Sequence, residues 1–309
     1  MKIEMETKKK SFKDGFEEFL RHCSVSGYAE STIENYRAAV AQFNKFYPAG
    51  KPLIDISSDT VEEFVYYLRQ HTNMSNVSLG IRLKNIKALF NWFYRKGYMN
   101  QVEFPQIRYE KKVKETYTDD ELKLLLAKPK IKKCKFTEYR NWVIINYLLS
   151  TGNRRGTLVN VRISDIDFDS GMIRLEKTKN KKQRYIPLSV TLANILKEYL
   201  KHRGGSMDDY LFCDAYGQQL NVQNLKTSLG RYHKRRGVTK TSIHLYRHTF
   251  AKKWILAGGD IFRLQKILGH SSLTVVKEYV EMFGEDLQQD FDRFNALDQV
   301  QQKNDRIRL

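Results

Sequence analysis

From residue 11 to residue 104 the apolar side chains recur every three or four positions, interrupted only by short polar or Gly/Pro joints. A chain patterned this way packs as neighbouring helices. Phe12, Phe16, Phe19 and Leu20 make the first stripe, and Gly27 ends it. Ser31-Thr32-Ile33-Glu34 has the form of a capping box. It would open a second helix carrying Tyr36, Val40, Phe43 and Phe46 up to Pro48. Asp59 with Glu62 starts a third, through Val61, Phe64, Val65 and Leu68. A fourth runs from about Ser75 to Lys96, with Leu79, Leu83, Ile86, Leu89, Phe90 and Phe93 inward and Gly97 after it. Four helices with short connections predict a small bundle, and its aromatic residues read mainly as core.

Phe104-Pro105 breaks the pattern, and Arg108, Lys111, Lys112 and Lys114 follow. Residues 108–116 read as a basic linker, able to wrap a polyanion or to serve as a solvated tether. Thr118-Asp119-Asp120-Glu121 is a second capping box, so a new domain opens at 117. It starts helical, at 119–128 and 137–151. Over 163–188 the period drops to two: Ile166 and Phe168, a turn at Asp169-Ser170-Gly171, then Met172, Ile173 and Leu175. A polar tip at 178–182 precedes Tyr185-Ile186-Pro187-Leu188. This predicts a small antiparallel sheet inside a helical domain. Helices resume at 191–202, 222–236, 246–257, 260–268 and 272–282. The expected map is an extension at 1–10, a helical domain at 11–107, the linker, a second domain at 117–283 and a tail helix at 284–309. There is no fixed-period repeat and no low-complexity segment.

Charge narrows the partner. The 309 residues hold 54 Lys and Arg against 35 Asp and Glu, a net charge of +19. Residues 111–277 carry net +20, residues 1–110 only +3, and residues 278–309 −4. So large a basic excess implies a polyanion, most often nucleic acid. No apolar run reaches the ~18 residues of a membrane helix, and the charged start MKIEMETKKK is unlike a secretory signal. Cys23, Cys134 and Cys213 are too scattered for a disulfide framework or a cysteine zinc site. A cytoplasmic, nucleoid-associated protein is expected, with no membrane partner. A membrane-surface role would want one basic amphipathic helix, and an RNA module its own aromatic or GXXG motif. Neither is visible.

Four strings stand out together: Thr151-Gly152-Asn153-Arg154-Arg155; Lys177-Thr178-Lys179-Asn180-Lys181-Lys182 at the hairpin tip; His244-Leu245-Tyr246-Arg247-His248-Thr249; and Leu268-Gly269-His270-Ser271-Ser272, with Tyr279 nine residues after His270. Singly each is weak. Arg154 could be an ion-pair former, the lysines a solvated loop, His244 a cap. Their order and spacing together resemble the tyrosine recombinases, the phage integrase family, over essentially the whole chain. The resemblance implies a SAM-like four-helix core-binding domain, with STIENYR on its second helix, and a mixed α+β catalytic domain. It departs from the usual pattern at Thr157, where the family often has a glutamate. It departs again at Tyr246, where a leucine usually precedes the arginine.

The resemblance assigns catalytic roles to Arg154, Lys179, His244, Arg247, His270 and Tyr279, and the residue chemistry fits them. Attack on a phosphodiester builds negative charge on the non-bridging oxygens. Guanidiniums stay protonated and match phosphate with a planar fork, so Arg154 and Arg247 suit that charge. A Tyr279 nucleophile would form a covalent phosphotyrosine and conserve the bond energy, with no ATP. Lys179 would protonate the leaving 5′ oxygen, and Lys177 and Lys181 fit the same role. His244 would exchange the tyrosine proton or assist the phosphate. His270 would donate to a non-bridging oxygen. No metal or cofactor is called for. Arg108, Lys111, Lys112, Lys114, Lys177, Lys181 and Lys182 are the expected DNA contacts.

In the tail, Phe283, Leu287, Phe291, Phe294 and Leu297 step by three or four on an acidic amphipathic helix. It either folds back on its own domain or, as the resemblance implies, contacts a neighbouring subunit in a synaptic tetramer. The leading expectation is a site-specific recombinase on double-stranded core sites, integrating or excising a mobile element. The ten residues before the first helix would be too few for an arm-binding domain. The same chemistry would serve Xer-like dimer resolution or transposon resolution. A type IB topoisomerase-like relaxation and a catalytically silent DNA-binding regulator are the competing classes.

Overall fold

The computed structural model describes residues 10–108, 115–175 and 183–269. The chain divides into two compact units, Met1–Lys112 and Val113–Leu309, with separate apolar cores. The described residues are mainly helical, with one three-stranded antiparallel sheet. None of their helices is long and apolar enough to cross a membrane.

The first unit is built on α1 (Phe12–Val25), α2 (Glu30–Phe43), α3 (Ser58–His71) and α4 (Asn76–Arg95). Phe43 lies at the centre. Its ring meets Phe64 edge-on at 4.9 Å and Phe90 at 5.4 Å. A segment at 49–55 crosses the start of α1, where the amides of Phe12 and Lys13 donate to the carbonyls of Lys51 and Ala49 at 2.9 Å each. These are first-turn amides that the helix itself cannot satisfy. The same crossing explains a mid-helix glycine: a Cβ on Gly15 would stand 2.6 Å from Leu53 Cδ1.

Two helix starts differ from the sequence reading. The second helix begins at Glu30 behind Ala29, with no side-chain cap. The left-handed Gly27 turns the chain at the end of α1, and α2 starts as soon as it leaves that turn, so Ser31 and Glu34 lie inside the helix. Glu34 pairs with Arg37 at 3.3 Å instead. The third helix is capped by Ser57 and Thr60 rather than by Asp59. Phe46 lies past the end of α2 yet still packs on the core. Beyond α4, Val102, Phe104 and Ile107 fold back onto the same core. Asn76 Nδ2 donates to Arg108 O at 3.0 Å, so the chain is held against the bundle as far as Arg108.

The second unit opens with α5 (Asp119–Leu126), where the Thr118–Glu121 capping box forms as read, with bonds of 2.8 and 3.2 Å. Helix α6 (Phe136–Thr151) is buried on nearly every side from Tyr139 to Leu148. A short α7 (Arg155–Leu158), not foreseen from the sequence, follows. Strands β1 (Ile166–Asp167), β2 (Met172–Leu175) and β3 (Arg184–Pro187) pair in that order, with Ile173 facing both Ile166 and Ile186. Then come α8 (Val190–Arg203), α9 (Val222–Arg235), α10 (His244–Leu256) and α11 (Ile261–Leu268). Helix α10 begins two residues before its expected start, at His244. The helix expected at 272–282 lies outside the described residues.

Candidate active site

Two glycine turns bring the site together. Helix α6 ends on Gly152 at φ 59°, the left-handed conformation glycine adopts without strain. A Cβ there would stand 2.6 Å from Leu268 and 2.7 Å from Phe250, so this turn sits directly against α10 and α11. Immediately beyond it, Asn153 is buried and Arg154 occupies the N-cap position of α7. The second turn is Gly269, left-handed at φ 64°, which closes α11.

The carbonyls at the end of α11 are the meeting point. Arg247, buried one turn into α10, donates to Gly152 O at 2.8 Å and to Leu268 O at 2.9 Å. Arg154 Nη1 reaches Leu268 O and Gly269 O at 3.5 Å each, a looser hold. Arg184, from β3, donates to Ile267 O at 2.8 Å and to Asn153 Oδ1 at 3.0 Å. The last carbonyls of a helix have no intrahelical partner and carry its partial negative charge. They offset the mutual repulsion of three guanidiniums held close together. Asn153 itself donates to Tyr147 Oη at 2.9 Å.

His244, the first residue of α10, is exposed to solvent. Partial desolvation, then the charges of Arg155, Arg247 and Arg154, push its pKa below the ordinary histidine value of 6.5. The ring is therefore neutral near pH 7 and can accept a proton despite its cationic surroundings. Thr157 is buried in α7. Tyr246, the second departure from the family pattern, bridges two helices. Its ring is buried, and its hydroxyl meets His233 Nε2 at 2.5 Å, tying α10 to α9.

Of the sequence-derived site residues, the structure brings Arg154, His244 and Arg247 together in the second unit. Arg108 is exposed at the end of the first unit's described chain. Lys111, Lys112, Lys114, Lys177, Lys179, Lys181, Lys182, His270 and Tyr279 lie outside the described residues, as do Phe283, Leu287, Phe291, Phe294 and Leu297. Arg184 and Asn153 were missed. A signal for Arg184 was present: it falls two residues from inward-facing Ile186, so it shares that residue's face. A cavity of about 780 Å³ lies elsewhere, against α6 and α9, and none of the clustered residues lines it. Two convergent guanidiniums beside a neutral imidazole suit an anion.

Known proteins share this sequence pattern and fold. A family model described as "Phage integrase family" matches residues 115–285, and "Phage integrase, N-terminal SAM-like domain" matches residues 16–99. A tyrosine recombinase of Pseudothermotoga lettingae is 27% identical over 292 residues, 91% of this chain and 96% of that one. Tyrosine recombinase XerA of Pyrococcus furiosus is 27% identical over 291 residues, covering 92% and 95%. Among solved structures, the XerH site-specific recombinase bound to palindromic difH substrate superposes with a TM-score of 0.73 at 19% identity, covering 95% of this chain and 99% of that one. A lambda integrase tetramer bound to a Holliday junction gives 0.71 at 17% identity, covering 88% and 78%. At those identities the two structures speak for the fold, while the family match spans more than half of the chain: the protein belongs to the phage integrase family, with tyrosine recombinases as its named relatives.

Proposed function

We propose that this tyrosine recombinase cuts and rejoins double-stranded DNA at a specific site through a 3′-phosphotyrosine on Tyr279. The observation that carries the reading is the convergence of Arg154 and Arg247 on Leu268 O beside a neutral His244. Tyr279 Oη attacks the phosphorus and the bond to the 5′ oxygen breaks. The tyrosine proton passes to His244, and the 5′ oxygen takes one from Lys179. The two guanidiniums and His270 hold the non-bridging oxygens as charge grows on them. Rejoining runs the steps backward with a 5′ hydroxyl as nucleophile, so no high-energy cofactor is consumed. The basic residues Arg108, Lys111, Lys112 and Lys114, with Lys177, Lys181 and Lys182, follow the phosphate backbone. The expected setting is the cytoplasm, on the nucleoid.

A homotetramer on DNA is the proposed working assembly. The neighbouring lambda integrase, crystallised as a tetramer on a Holliday junction, supports it. The tail residues Phe283, Leu287, Phe291, Phe294 and Leu297 would join one subunit to the next. For biological role the leading reading is integration or excision of a mobile element. Xer-like resolution has support of its own, because relatives named XerC and XerA match over about nine-tenths of the chain.

Covalent trapping tests the chemistry. The probe is a nicked duplex carrying the site that the wild-type protein selects from random sequence, incubated in EDTA. Wild type should form a protein–DNA adduct, Tyr279→Phe none, and Lys179→Ala one that forms slowly. An adduct that survives Tyr279→Phe would mean that another nucleophile acts. Tight binding with no adduct from wild type would leave a catalytically silent DNA-binding regulator.

A further inference from the structure

Arg184 is the charged member of an otherwise aliphatic face. It pairs across the sheet with Leu175 and lies two residues from Ile186, both buried. An aliphatic side chain would continue that face. The arginine instead brings two features that oppose folding. Its Nε is buried without a hydrogen-bond partner. Burial, and then the neighbouring charge of Arg154, act against its protonated form. Sheet stability therefore does not account for an arginine at this position.

Its contacts do. Nη1 donates to Ile267 O at 2.8 Å, in the last turn of α11, and Nη2 to Asn153 Oδ1 at 3.0 Å, one residue before Arg154. Gly269 packs on the same guanidinium, and a Cβ at that position would overlap it. One rigid fork thus joins three separate pieces of chain: the β3 stem, the end of α11 and the segment leading into Arg154. Arg247 reaches Leu268 O, the carbonyl next to the one that Arg184 holds. A lysine has the charge but not the fork, and could hold only one of the two acceptors firmly.

The geometry points to Arg184 as a positioning residue, joining the β3 stem, the α11 terminus and Asn153, and so setting where Arg154 stands relative to Arg247 during DNA cleavage. This rests on the recombinase reading above. Arg184 acts through its neighbours and need not touch the phosphate.

The test uses the full chain as wild type, Arg184→Lys and Arg184→Gln. The first arm is hydrogen exchange of the free protein, which needs no activity. Arg184→Gln should raise amide exchange severalfold in both 153–158 and 264–269, while α8 exchanges as before. Unchanged exchange in those two segments would overturn the proposal. General loosening that includes α8 would also overturn it, since Arg184 would then be an ordinary structural residue. The second arm is single-turnover adduct formation on the nicked duplex, beside DNA affinity. Cleavage by Arg184→Gln should slow by about 100-fold, the size expected of a ~1 Å misplacement, with affinity unchanged. Arg184→Lys should recover part of the rate. A parallel fall in affinity and rate would make Arg184 a DNA contact and overturn the proposal. Absence of an adduct from wild type would instead count against the recombinase reading, leaving the exchange result to judge the clamp.

Discussion

His233 shows how one side chain can couple the helix that carries His244 and Arg247 to pH. Its Nδ1 lies in hydrogen-bond contact with Leu229 O, so that nitrogen carries the proton and Nε2 accepts from the Tyr246 hydroxyl at 2.5 Å. Tyr117 adds a third ring, 4.7 Å from Tyr246. Burial depresses the His233 pKa below 6.5, and a second proton on the ring would displace the Tyr246 donation. Between the depressed folded value and 6.5 the unfolded chain binds more protons than the folded one. The contribution to stability is therefore fully present above pH 6.5 and is lost as pH falls below it. Urea unfolding of wild type should weaken as pH falls from 6.5 to the depressed folded value, with a slope of at most about 1.4 kcal/mol per pH unit, and level off below it. His233→Gln should flatten the slope, and an equal slope in both proteins would refute the assignment.

At the scale of elements, the site is made by how helices end. Helix α6 stops on Gly152, α11 stops on Gly269, and α10 starts on His244. The capped ends supply the carbonyls that hold the arginines. The prediction for this scale is Gly152→Ala. The new Cβ meets a left-handed φ of 59° and stands 2.6 Å from Leu268. Backbone strain and overpacking together should cost about 2–4 kcal/mol. Because Gly152 O also holds Arg247 at 2.8 Å, adduct formation should fall below what the lost stability explains. That comparison is made at a temperature where thermal denaturation shows the variant fully folded.

Across the molecule as a whole, charge governs the encounter with DNA. The net charge is +19: residues 111–277 hold +20 and residues 1–110 hold +3, against −4 in the tail. Binding to duplex DNA should release counterions, so the logarithm of affinity should fall linearly with the logarithm of salt concentration. Each Lys→Ala change that removes a phosphate-binding ammonium should reduce that slope by about one. Titrations from low to physiological salt measure it, and a flat response would argue that apolar or base contacts dominate instead. Lys111→Ala and Lys112→Ala should lower the slope without changing the adduct rate at saturating protein.

The bundle, the sheet and the set of strings that marks the family were all legible in the amino-acid order. They follow from local chemistry: apolar periodicity, the Thr118–Glu121 box, Gly at helix ends and the alternation through Met172, Ile173 and Leu175. Arg154, His244 and Arg247 stand out in the sequence because their types and spacing carry the resemblance, and the fold brings them together. The rest depended on packing. Ser31 and Asp59 are sound caps by type, but the preceding turns set where α2 and α3 begin, one at an uncapped Ala29 and the other at Ser57. Tyr246 stands out in the sequence only as a departure from the family pattern, and packing alone brings its hydroxyl to His233, thirteen positions away. Arg184 reads locally as a polar strand residue, and only the fold brings Ile267 and Asn153 to its two ends. Local propensity acts over a few residues, whereas a hydrogen-bond partner 83 positions distant is chosen by packing alone.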